Sequence, residues 1–228
     1  MGWKAVAGAA SHRSLHSRPH ARQQGLFAHA ACRKIERMTH GDPRSCHNTL
    51  AHPVILEGAG LHSGRPARVT VRPSAGGGRV FWCGGTAIPA LAEYVVDTRR
   101  CTTLGRDGAR VQTVEHLLAA LWLAEIDSCE IVIEGTELPA LDGAAAAWMQ
   151  AITAAGGAPL SGAAPVWTVT EPAWITNGDS EFFLCPAPAP ALYAAIDVPG
   201  TVATAMMAGG PLAEAAVRDQ IVRARTYA

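Results

Sequence analysis

Residues 113–124 (TVEHLLAALWLA) constrain the fold more than any other segment. They are strong helix formers, and Thr113 is placed to cap the N-terminus. Apolar side chains run nearly all round the helix, so it has no solvent face and must be buried by other layers. Yet Glu115 and His116 sit in its first turn. Polar titratable groups in a buried helix are rare unless they are paired or bound to a metal.

The neighbouring segments supply the layers. Residues 68–72 (RVTVR) alternate like a half-buried strand and stop at Pro73. A Gly-rich turn at 74–78 and the run 79–83 (RVFWC) then predict the second arm of a hairpin. Residues 129–134 (CEIVIE) predict a strand ending at Gly135. Asp142 is placed to cap a second helix over 144–155, which Gly156 and Gly157 terminate. Residues 158–165, mostly Gly, Ala, Ser and Pro, read as a linker. Beyond it, 166–175 and 180–185 flank Asn177-Gly178, a strong hairpin signal. A strand at 192–198 and a helix at 212–223 follow, running into Arg225-Thr226-Tyr227-Ala228. Strands precede helices in each half, which predicts an α+β chain. Its two sheet-plus-helices sandwich domains would be 48–160 and an incomplete 161–228.

Residues 1–37 carry seven of the 19 basic groups and one of the 19 acids, so the remainder holds 12 basic against 18 acidic groups. A body of that balance has no electrostatic case for a polyanion, and nucleic acid is not expected as a partner. Residues 1–47 are expected to be a disordered or mis-assigned N-terminal extension. Its Arg-rich, acid-poor start also fits a transit peptide, while Met38 fits a start assigned too far upstream. His12, His16, His20 and His29 are too irregularly spaced for a metal tract. The six cysteines show no C-x-x-C spacing, and no secretory signal precedes them, as for free thiols in a reducing cytoplasm. The longest apolar run, 117–124, is far short of the ~20 residues that span a bilayer.

Four clusters could carry chemistry. At Glu115-His116, the positive end of the helix favours ionised carboxylate and neutral imidazole, the forms of a base and a metal ligand. A core histidine beside a solvated acid would give the same dipeptide. Residues 57–64 (EGAGLHSG) allow a tight turn carrying His62. Residues 97–104 (DTRRCTTL) include Cys101, for which no catalytic partner can be argued. The Thr226 hydroxyl can donate to an oxyanion or cap the preceding helix.

Those three segments, with 137–143 (ELPALDG) and 224–227 (ARTY), occur in the order found in UDP-3-O-acyl-N-acetylglucosamine deacetylase, and the chain resembles that family over roughly 48–228. The resemblance implies a cytoplasmic zinc amidohydrolase of lipid A biosynthesis that acts on a small UDP-linked acylated glucosamine, here expected as a monomer. Carried over by motif, His116 resembles a zinc ligand and Glu115 the general base. Thr226 resembles the hydroxyl that holds the oxyanion, and Tyr227 the start of the acyl passage. Arg100 and Cys101 resemble residues lining the approach to the metal. The family's other two ligands form a later His-x-x-x-Asp pair, and a further histidine protonates the leaving amine. No histidine follows His116 here. The chain is therefore expected to be a shortened deacetylase, inactive alone. The alternative is a non-catalytic remnant that binds a UDP-sugar or a partner.

Overall fold

Alternation of apolar and polar residues builds the central sheet. In a computed structural model, which describes residues 35–38, 46–163, 166–197 and 206–225, Ala67, Val69 and Val71 point inward while Arg68 and Arg72 point to solvent. The strands in chain order begin with β1 (Ile35–Met38), β2 (Cys46–Leu50), β3 (Val54–Ala59), β4 (Pro66–Pro73), β5 (Arg79–Cys83) and β6 (Thr86–Pro89). After β7 (Val95–Asp97), β8 (Thr103–Arg106) and β9 (Ala109–Val111) come helix α1 (Glu115–Leu123), β10 (Cys129–Glu134) and helix α2 (Ala146–Ala155). The rest are β11 (Gly157–Ala163), β12 (Val166–Val169), β13 (Ala173–Asn177), β14 (Ser180–Leu184), β15 (Ala191–Ile196), β16 (Met206–Pro211) and helix α3 (Ala215–Arg223). The class is α+β, as expected.

The described residues fall into two units, one holding Trp167–Pro186 with Ile35 and Glu36, the other holding those described within 37–166 and 187–225. Most of the expected extension at 1–47, together with Thr226 and Tyr227, lies outside the described residues.

The larger unit contains a five-stranded sheet in the order β3-β4-β10-β5-β6. The expected hairpin of β4 and β5 does not form: β10 lies between them, antiparallel to β4 and parallel to β5. The Gly-rich segment spans that extra strand width, and the Cys129 amide donates to the Gly78 carbonyl where β10 enters. The sheet's inner face, with Val69, Phe81, Ile131 and Ile133, packs on Leu117, Ala120 and Leu121 of α1 and on Trp148 and Ile152 of α2. Its outer face carries cross-strand ion pairs, Arg68 with Glu57 and Glu134, and Arg72 with Glu130. One face is therefore dry and the other wet, which fixes the register of every strand.

Three further local expectations are revised. Helix α1 is not enclosed on every side, since Trp122 is 52% exposed. Helix α2 starts at Ala146, and Asp142 accepts from the Ala144 amide in the turn before it rather than capping the helix. The presumed linker is strand β11, paired antiparallel with β2 through an irregularity between Pro159 and Ala163. Its backbone finds a partner strand despite a composition that favours loops. Gly156, at φ 71°, ends α2 as expected.

In the smaller unit, β13 and β14 form the expected hairpin, with Asn177 opposite Ser180 and Gly178 at φ 61° in the turn. Trp174 and Phe183 meet across it as a tilted ring pair, with centroids 5.4 Å apart and planes at 52°.

Candidate active site

Helix α1 begins at Glu115, with Val114 as its N-cap. Thr113 does not cap it. Thr113 sits in the left-handed region at φ 59° and its Oγ1 donates to Glu137 Oε1 at 3.2 Å. The Val114 amide donates to the Thr102 carbonyl at 3.4 Å. In return the Thr102 amide donates to Glu115 Oε2 at 3.0 Å. The loop that ends in Cys101-Thr102 is thereby fastened to the first turn of α1.

The predicted residues fall as follows. Glu115 and His116 are half-buried, adjacent on that first turn. Cys101 is buried, its Sγ 3.9 Å from Thr103 Oγ1. Arg100 is exposed and left-handed at φ 63°, a backbone state that turns the chain sharply before Cys101. Glu115 is therefore joined directly to the segment carrying Arg100 and Cys101.

One residue with no chemical role in the sequence reading stands at the centre of the cluster. Glu137 is 2% exposed. Its carboxylate accepts from the amides of His62 and Ser63, each at 2.8 Å, as well as from Thr113. Burial pushes its carboxyl pKa up, but the His62 and Ser63 donors and the Thr113 hydroxyl outweigh burial and hold it below the usual carboxylate range. Gly60 is required here, because a Cβ at that position would lie 2.3 Å from Glu137 Oε2. The signal was an acid between Thr136 and Leu138 at the end of an apolar strand; its partners lie 75 and 74 residues earlier in the chain.

Two other buried thiols, Cys83 and Cys129, lie outside this cluster. Burial pushes the Cys129 thiol up to about 12 and raises that of Cys83, so both stay protonated. A cavity of about 700 Å³ between α2 and α3, lined in part by Asp142, Gln150, Asp219 and Arg223, does not include Glu115 or His116.

A catalytic zinc takes three protein ligands. Among the described residues no group of three or more His, Cys, Asp or Glu side chains could hold a metal ion. His116 can supply one nitrogen, and the described residues do not by themselves make a zinc site.

Residues 47–228 match the family model for UDP-3-O-acyl N-acetylglycosamine deacetylase. A UDP-3-O-acyl-N-acetylglucosamine deacetylase of Anaeromyxobacter dehalogenans is 38% identical over 182 residues, covering 78% of this chain and 59% of the relative. One from Myxococcus xanthus is 42% identical over 144 residues, covering 61% of this chain and 46% of the relative. One from Helicobacter pylori is 31% identical over 182 residues, 78% of this chain and 62% of the relative. The chain thus spans between about half and three fifths of the length of these relatives.

Proposed function

This chain belongs to the UDP-3-O-acyl-N-acetylglucosamine deacetylase family, and we propose from that premise that its chemistry is hydrolysis of the N-acetyl group of a UDP-linked, 3-O-acylated glucosamine. The step would serve lipid A biosynthesis in a bacterial cytoplasm. No helix among the described residues is long and apolar enough to cross a membrane.

The observation that carries the reading is the Glu115 carboxylate, half-buried at a helix N-terminus with one oxygen engaged by the Thr102 amide. In this role Glu115 removes a proton from the attacking water as the new C–O bond forms, and that proton passes to the departing nitrogen as the C–N bond breaks, releasing acetate and the amine. Arg100 and Cys101 line the approach, the Thr226 hydroxyl donates where negative charge develops, and Tyr227 opens the acyl passage. His116 is the zinc ligand in this reading. Zinc would serve as the Lewis acid of a complete enzyme. The domain division at 160/161 and a monomeric state belong to the same proposal. With no histidine after His116, residues 1–228 alone are inactive in this account.

The test is a chimera in which this chain is continued with the C-terminal remainder of the Anaeromyxobacter relative. It should release acetate from the UDP-sugar, and Glu115→Ala should lower turnover by about 10²- to 10⁴-fold. Full turnover in that variant would refute the base assignment.

A further inference from the structure

We propose that Glu137 is a positioning residue that fixes the Glu115 carboxylate by gripping Thr113 and the His62-Ser63 turn together. The purpose of this device rests on the deacetylase reading, but its geometry does not. Four segments separated in sequence meet through two carboxylates, Glu137 and Glu115, and their contacts: the turn at 60–65, the loop ending at Thr102, the start of α1, and the segment carrying Glu137.

The linkage is continuous. Glu137 is held in place by the backbone on either side of it, since the Gln112 amide donates to the Thr136 carbonyl and the Leu138 amide donates to the Gln112 carbonyl. Its Oε1 receives the hydroxyl of Thr113, a β-branched residue kept in a left-handed conformation that such residues avoid. Strain of this kind persists only where surrounding contacts over-determine it. Val114 follows and donates to the Thr102 carbonyl, and Thr102 donates to Glu115 Oε2. Releasing the Thr113 hydroxyl lets the backbone at 113 relax, and the Thr102 to Glu115 contact is the next bond to open. Gly60 keeps the space that the carboxylate occupies.

The test uses residues 1–228 and backbone amide exchange followed by NMR. Glu115→Gln calibrates the Thr102 amide as a reporter of its contact. Glu137→Gln should raise exchange at His62, Ser63 and Thr102 at least tenfold, with Ile131 and Leu121 unchanged. Thr113→Val separates the two grips: exchange at Thr102 should rise while His62 and Ser63 stay protected. If Glu137→Gln frees the turn but leaves Thr102 as in the parent, Glu137 is merely structural and the proposal fails. If Glu137→Gln does not fold, Thr113→Val decides alone. An unchanged Thr102 amide there, or a rise shared equally with Ile131 and Leu121, overturns the proposal. Loss of deacetylase activity in the chimera with this coupling intact would instead count against the function.

Discussion

At position 60 one hydrogen atom separates a folded turn from a clash. A Cβ there would lie 2.3 Å from Glu137 Oε2 and 2.5 Å from Ser63 Oγ, whereas at Gly64, φ +63°, nothing lies within 4 Å. Gly60→Ala should therefore cost about 2–3 kcal/mol in urea unfolding, as overpacking does. Gly64→Ala should cost about 1 kcal/mol, from its backbone conformation alone. Glu137 also sets a pH dependence. Its folded pKa lies below the unfolded value of about 4.3, so the stability it adds is fully present above that value and is lost as pH falls through the folded one. Glu137→Gln should flatten the decline in stability as pH falls below the unfolded value, measured by unfolding at a series of pH values. The Glu115-His116 pair was legible in sequence because two polar residues interrupt an apolar helix. Glu137 was not, because its carboxylate is anchored by two amides and a hydroxyl, which no spacing rule links to it.

Among the elements, β10 shows what alternation can and cannot say. Its inward Cys129, Ile131 and Ile133 were readable as one face of a strand. Its place between β4 and β5 was not, because the turn signal at 74–78 looks the same whether the flanking strands pair directly or leave room for a third. That position makes β10 the middle of the sheet. Ile131→Ala should cost about 3–4 kcal/mol, as expected for a fully buried residue, while Val132→Ala on the half-buried outer face should cost under about 1.5 kcal/mol. Urea unfolding of both variants checks the difference. The β13-β14 hairpin was readable because Gly178 meets a local backbone demand. Strand β11 was not, since its pairing with β2 spans about a hundred residues of sequence and its composition favours turns.

For the whole molecule, the outer surface of the central sheet carries paired charges, Arg68 with Glu57 and Arg72 with Glu130, an arrangement that a charge total does not place. The family was legible because several motifs stand in order, and the structure brings four of those segments to one place. The metal set is different. One histidine on α1 cannot hold zinc against water, so purified residues 1–228 should carry under about a tenth of an equivalent by elemental analysis. Stoichiometric zinc on this chain would mean that other residues complete the site.

The most direct measurement is the zinc content of two variants of the chimera. Glu115→Ala should retain about one equivalent per chain, and His116→Ala should fall below about a tenth. Retention by His116→Ala, with loss from Glu115→Ala, would contradict the roles assigned to the pair.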